Sequence, residues 1–192
     1  MSTKQPIRSL EEIEELKDYF FTKKSNMRNY ALICLGINSA LRISDLLALE
    51  WKDVYDFAGD CFMGHITLTE KKTGKYTQIA LNKSAVEALA IYKDTLAGVK
   101  PEDYIFTGRG AGSHLSRSQA FRLIRDAGRA LNFEHEISCH SLRKTFGYHA
   151  WKSGVHPVII MMIYNHSSFQ VTKRYIGVDQ DDKDQVFLDL NL

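Results

Sequence analysis

The chain has 192 residues, is 44% hydrophobic and carries a formal net charge of +2, which allows one well-buried core but does not by itself announce a nucleic-acid binder. No run approaches the ~18 apolar residues of a membrane span. The first residues, MSTKQPIRS, lack the apolar stretch of a secretion signal, so a cytoplasmic protein with no membrane partner is expected. Cys34, Cys61 and Cys139 are scattered, odd in number and without C-x-x-C spacing, against both a disulfide scaffold and a zinc site.

Ser9 with Glu12 three residues on is a capping-box pattern, and Leu10, Ile13, Leu16 and Phe20 keep helical spacing, predicting a first helix from about Ser9 to Lys23. Asn26 can start a second, MRNYALICLGINSA, whose nearly continuous apolar character predicts burial at the domain centre. Arg42 follows between Leu41 and Ile43, and a charge there needs a partner, because unpaired buried charge is very costly. Asp45, three residues on, is one candidate and a bound phosphate the other. From Cys61 the period changes to two, through Phe62 and His65–Thr69, a Lys-Lys-Thr-Gly-Lys turn, and Tyr76–Leu81. That pattern predicts a hairpin over residues 61–81 with Lys71, Lys72 and Lys75 at its tip, serving either solubility or contact with a phosphate.

Residues 84–96 read as an amphipathic structural helix closed by Gly98 and Pro101. Tyr104-Ile105-Phe106 is a short buried stretch, and three glycines within residues 108–112 mark a loop. Ser116 caps a helix to about Asn132, with Phe121, Ile124 and Leu131 inward. Arg117, Arg122, Arg125 and Arg129 spread over more than one of its faces, so a solvated basic surface and a stripe for DNA both stay open.

The richest stretch runs from Ser138 to Tyr175. His140 and Arg143 are three apart and share a helix face, about 5–6 Å apart at Cβ, while Leu142, Phe146 and Ala150 turn toward a core. Gly154 ends that helix, Pro157 suits the first turn of the next, and VIIMMIY runs to Asn165, which tolerates the left-handed conformation past a helix end. His166 is thus presented at a helix terminus, Ser167 or Ser168 can cap the next segment, and Tyr175 lies nine positions on, flanked by Lys173 and Arg174. A tyrosine between cations near two histidines suits phosphate chemistry. Cys139 does not share a helix face with His140, and His135, His140, His149 and His166 lack H-E-x-x-H spacing, so neither a thiol nucleophile nor a metal is expected. After the acidic run Asp179 to Asp184, the apolar residues Val186, Phe187, Leu190 and Leu192 cannot bury their own face and must dock on this domain or on another copy.

His140-x-x-Arg143, followed by His166-Ser167-Ser168 and Tyr175, resembles the catalytic domain of the tyrosine recombinases, the phage integrase family. The run Ala40 to Val54 resembles that family's first arginine box, and Lys72-Thr73-Gly74-Lys75 its hairpin lysine; one departure is Tyr164-Asn165, where the family usually has Leu-Gly. The resemblance implies an α+β, mostly helical catalytic domain over residues 1–178 with a small antiparallel sheet, and a docking tail over 179–192. It implies a site-specific recombinase that cleaves and rejoins double-stranded DNA through a 3′-phosphotyrosyl intermediate, with Tyr175 as nucleophile. Arg42 and Arg143 would clamp the phosphate, Lys72 would protonate the leaving 5′-oxygen, and His140 and His166 would accept or share the tyrosine proton and bond the phosphate. Asp45 would orient Arg42 or His140, with Lys71, Lys75, Arg117, Arg122, Lys173 and Arg174 as DNA contacts. No metal, ATP or other cofactor is implied. The expected assembly is a monomer in solution and a tetramer on paired sites, of a chain that is either a catalytic-domain-only recombinase or a piece of a longer one. The alternative is a non-cleaving DNA-binding or regulatory protein on the same fold.

Overall fold

The computed structural model describes residues 4–110, 112–178 and 180–190, without the side chains of 180–182, 184 and 185. Helix α1 (Leu10–Asp18) starts where the Ser9 hydroxyl accepts the Glu12 N–H at 3.2 Å. That is one half of the capping box; the Ser9 hydroxyl also donates to Glu11 at 2.6 Å, and the helix ends in a widened π turn, Tyr19–Lys23. The side chain of Asn26 caps α2 (Met27–Asn38), whose residues Ala31 to Ile37 are all buried. This apolar helix is the axis of the main core, with α4 (Lys83–Asp94) and α6 (Cys139–Lys152) packed against it.

Between α2 and α4 lie the four-residue α3 (Ile43–Leu46) and two separate antiparallel ribbons. β1 (Tyr55–Asp56) pairs with β2 (Cys61–Phe62), and β3 (His65–Thr69) pairs with β4 (Tyr76–Ala80), in register from His65 opposite Ala80 to Thr69 opposite Tyr76. The predicted hairpin over 61–81 is therefore shorter at its start, because Cys61 and Phe62 pair backward with 55–56 and Gly64 interrupts the run. The lysine-bearing turn closes through Glu70 N to Lys75 O at 2.9 Å, with Gly74 at φ 67°, a left-handed conformation that glycine adopts without steric cost.

α5 (Arg117–Ala130) begins in a complete capping box between Ser116 and Gln119. After α6 come α7 (Pro157–Tyr164), α8 (Phe169–Ile176) and α9 (Gln180–Asp189). α6, α7 and α8 enclose a second, smaller core of Ala40, Ile160, Tyr164 and Ile176, against which Phe146 and Tyr175 pack. They meet closely because residue 147 is glycine; a Cβ there would lie 2.5 Å from the Tyr164 hydroxyl and 2.7 Å from Ile176. The amino-terminal segment straps across this unit, with Ile7 N–H donating to Thr145 Oγ1 at 2.9 Å and Arg8 donating to Gly177 O at 2.7 Å. Of the tail residues singled out above, Val186, Phe187 and Leu190 are exposed on or just after α9, while Asp179 and Leu192 lie outside the described residues. No helix among the described residues is long and apolar enough to cross a membrane.

Candidate functional site

The N-terminal ends of α3 and α6, the lysine turn and the start and end of the α7–α8 corner enclose a cavity of about 600 Å³. Arg42, Lys71, Lys72, Arg117, His140, Arg143, His166 and Tyr175 all line it. Residues far apart in sequence thus converge, and five of the eight carry a permanent or near-permanent positive charge.

Arg42 stands at the N-cap of α3, just past Ala40, whose backbone is left-handed at φ 53°. Its guanidinium pairs with Glu70 at 2.6 Å, not with Asp45. Asp45 instead accepts the backbone N–H of Lys71 at 3.1 Å, and its other oxygen, buried, has no hydrogen-bond partner among the described residues. Asp45 lies within α3 and faces the lysine turn, so it anchors that turn's backbone while the strand-end carboxylate of Glu70 reaches Arg42. Glu70 is a functional candidate that the sequence reading missed. Its only signal was an acidic residue standing immediately before two lysines at the end of an alternating strand.

On α6, His140 and Arg143 share the cavity-facing side, as their spacing requires. The Arg143 guanidinium is buried, donates to the Ala40 carbonyl and lies 4.8 Å from the Tyr164 ring centroid. Tyr164 in turn donates to Arg143 O at 2.6 Å. Burial, followed by the neighbouring cations Lys144, Arg117, Arg143 and Lys72, pushes the His140 pKa below the ordinary 6.5. Burial and then Arg143 and Arg42 do the same to His166. Both imidazoles are therefore neutral at neutral pH, and each has one nitrogen able to accept a proton.

Asn165 takes the left-handed position at the end of α7, φ 54° and ψ 46°, so the departure from Leu-Gly at this corner leaves the turn intact. The corner delivers His166, whose ring stacks on Tyr164 (centroids 5.4 Å apart) and meets Tyr175 edge-on at 5.1 Å. Tyr175 is inside the cavity, with the Lys144 ammonium 5.3 Å from its ring centroid. Burial raises the Tyr175 pKa, and the charge and hydrogen bonding of Arg143, with Arg42 behind it, only partly offset this. The phenol is protonated in the resting protein.

The predicted DNA contacts divide. Lys71 and Arg117 line the cavity itself, and Arg117 with Arg122 and Arg125 also lines an adjoining groove of about 800 Å³. Arg129 is turned away to Glu136 at 3.2 Å. Lys75 bonds the Asn165 side chain beside the site. Lys173 borders a separate cavity near the tail, and Arg174 is exposed, so neither joins the central group. Cys139 borders the cavity, but burial pushes its thiol up to about 11, which suits packing rather than nucleophilic attack. No cluster of three or more His, Cys, Asp or Glu residues that could hold a metal occurs among the described residues.

The profile of the phage integrase family matches residues 9–182. The probable integrase/recombinase YoeC of Bacillus subtilis (strain 168) is 42% identical over 177 residues, covering 92% of this chain and 91% of that one. The type 1 fimbriae regulatory protein FimE of Escherichia coli (strain K12) is 34% identical over 151 residues, 77% of this chain and 73% of that one. Among solved structures, the crystal structure of XerA recombinase superposes with a TM-score of 0.78 at 23% identity, over 98% of this chain and 66% of that chain.

Proposed function

The chain belongs to the phage integrase family, and from that premise we propose that it is a site-specific recombinase that cuts and rejoins double-stranded DNA through a covalent 3′-phosphotyrosyl intermediate. The observation that carries this reading is the convergence of Arg42, Arg143 and Tyr175 with two neutral imidazoles in one cavity.

The chemistry follows from those groups. A phosphodiester entering the cavity places its non-bridging oxygens against two guanidiniums, whose planar forks make bidentate, charge-assisted hydrogen bonds. As Tyr175 Oη attacks phosphorus, negative charge grows on those oxygens and the preorganised cations stabilise it, the task a metal ion performs in other phosphoryl-transfer sites. The phenol loses its proton to a neutral imidazole as the P–Oη bond forms. The P–O5′ bond breaks, and Lys72, on the turn beside His140, supplies the proton to the leaving 5′-oxygen. The phosphotyrosyl bond keeps the energy of the original linkage, so a 5′-hydroxyl from a second strand restores a phosphodiester by the reverse steps. Asp45 supports this indirectly, by fixing the backbone from which Lys71 and Lys72 project. The groove lined by Arg117, Arg122 and Arg125 receives the flanking DNA backbone. The catalytic unit is residues 1–178, and the tail, 179–192, joins copies of the chain into a tetramer on paired sites from monomers in solution.

The test is incubation with duplex DNA carrying a nick near the scissile position, which traps the intermediate as the short fragment bearing the released 5′-hydroxyl diffuses away. A denaturant-resistant protein–DNA adduct is expected from the wild type and none from Tyr175→Phe, which should still bind DNA. DNA binding with no adduct on substrates that bind specifically would favour the non-cleaving regulatory reading, and an adduct from the Phe variant would reassign the nucleophile.

A further inference from the structure

Thr172 lies one turn before Tyr175 on α8, is fully buried, and is not among the groups assigned a role above. Its single hydroxyl hydrogen has two acceptors in reach. One is the Ser168 carbonyl at 3.3 Å; the other is Nδ1 of His166 at 3.1 Å, an acceptor in the Nε2–H tautomer of that ring. The Ser168 carbonyl already accepts the backbone N–H of Thr172, so it loses nothing essential if the hydroxyl turns to the imidazole. Because Nδ1 is engaged, Nε2 is the nitrogen that His166 offers to the cavity. The ring cannot turn to exchange them freely, being stacked on Tyr164 and held edge-on to Tyr175.

We propose that Thr172 is a positioning residue that donates its hydroxyl hydrogen to Nδ1 of His166, locking the imidazole as the Nε2–H tautomer so that it presents a donor to the bound phosphate. The inference rests on the reading above that a phosphate enters this cavity. The surrounding chemistry selects the tautomer: Arg42, Arg143 and Lys72 make the cavity a seat for an anion, and a nitrogen lone pair facing a phosphate oxygen is repelled where an N–H is attracted. A neutral imidazole can serve as donor there only if its other nitrogen carries the lone pair, which is what a hydroxyl donor at Nδ1 enforces. The two histidines then have different work. His166 donates to the phosphate, and His140 takes the tyrosine proton.

The tautomer is directly readable. In full-length protein labelled with ¹⁵N-histidine, long-range ¹H–¹⁵N correlation spectra at neutral pH distinguish which ring nitrogen is protonated, and His166 is assigned by the signals lost in His166→Gln. The Nε2–H tautomer is expected in the wild type and in Thr172→Ser, which keeps the hydroxyl, and a mixture of tautomers in the isosteric Thr172→Val. With nicked DNA, Thr172→Val should form adduct about tenfold more slowly, the effect of one ordinary hydrogen bond, with unchanged DNA affinity, and Thr172→Ser should restore the rate. An Nδ1–H signal for His166 in the wild type overturns the inference, as does an unchanged tautomer in Thr172→Val. Should the valine variant fail to fold, the wild-type spectrum still decides. The spectra need no turnover, so a wild type that forms no adduct would count against the recombinase reading while leaving the tautomer assignment to stand or fall separately.

Discussion

Arg42 Nη1 lies 2.6 Å from Glu70 Oε2, and the Glu70 side chain is only 6% exposed. The guanidinium assigned to the phosphate is thus held by a carboxylate in the resting site. Burial alone would raise the Glu70 pKa, but hydrogen bonds from Thr73 and Arg42 and the charges of Arg42 and Arg143 outweigh it and hold the acid below its ordinary value. Glu70 therefore stays ionised and competes with the incoming phosphate. Glu70→Gln keeps the shape and a hydrogen-bond acceptor but removes the charge. It should bind DNA more tightly, with the plot of log affinity against log salt steeper by up to about 0.9, the value of one additional neutralised phosphate. Unchanged or weaker binding in a salt titration would show that Glu70 orients Arg42 without competing.

Arg143→Lys separates the charge at this position from its geometry. Lysine keeps a point charge but loses the planar fork, and it also loses the bond to the Ala40 carbonyl. Binding of DNA should hold within a few-fold while adduct formation slows by roughly 10²–10³, in the range for removing one preorganised transition-state donor. Equal losses of binding and cleavage would mean that Arg143 acts on the ground state only.

His140, which takes the tyrosine proton, sets an acid limit on the rate, and both histidines bear on stability. Both titrate below the ordinary 6.5, burial being the largest cause in each and neighbouring cations the next. The second-order rate of adduct formation, which reports the free enzyme, should therefore hold through 6.5 and fall only at lower pH. For stability the sign follows from proton counting. Between the lowered native values and 6.5 the unfolded chain binds more protons, so stability contributed by these groups is full above 6.5 and is lost as pH falls through that window. A rate profile with its acid limb above 6.5 would contradict the neutral-imidazole site. At the alkaline end, burial keeps the Tyr175 phenol protonated past the ordinary 10.0, visible in ultraviolet absorbance as one late-titrating tyrosine fewer in Tyr175→Phe than in the wild type.

The elements and most of the site were legible because they depend on local chemistry. Capping residues Asn26, Ser116 and Ser168 mark real helix starts, Asn165 adopts the left-handed turn its type allows, and the three-residue spacing of His140 and Arg143 places both on one face. What was not legible depends on contacts distant in sequence. Nothing near Arg42 says that its partner is 28 residues away rather than three, and the short ribbon of 55–56 with 61–62 has too few residues to declare a period. Nothing in the sequence around Thr172 says that its hydroxyl meets His166, a contact made only when the α7–α8 corner folds back.

Gly147 tests how far the packing of α6 against α7 and α8 sets the site. In Gly147→Ala the new methyl would meet the Tyr164 hydroxyl and ring at 2.5 and 2.6 Å and Ile176 at 2.7 Å, all on fully buried side chains with little room to retreat. Overpacking of this kind costs about 1–3 kcal/mol, measurable by urea denaturation. Tyr164 also bonds the Arg143 carbonyl and stacks on His166, so cleavage should fall further than stability alone explains under conditions where the variant is fully folded. A stable variant with normal cleavage would show that this corner tolerates displacement.

The tail bears on assembly. Val186, Phe187, Leu188 and Leu190 are 55%, 79%, 76% and 60% exposed, although α9 does contribute Val186 to a cavity of about 410 Å³ beside Trp151 and Phe169. Full burial of one such side chain stabilises by roughly 1.5–3 kcal/mol, so covering this face with a second copy supplies enough energy to make binding at neighbouring sites cooperative, and the same face left in water supplies none. Gly177, left-handed at φ 77°, separates this tail from the helix that carries Tyr175, giving a joint at which the tail can be redirected. Deleting residues 184–192 should therefore leave affinity for a single DNA site near that of the full chain. It should reduce cooperative occupancy of paired sites in a mobility-shift titration, and recombination with it. Recombination by the truncated chain at the full-length rate would exclude the tail as the coupling element.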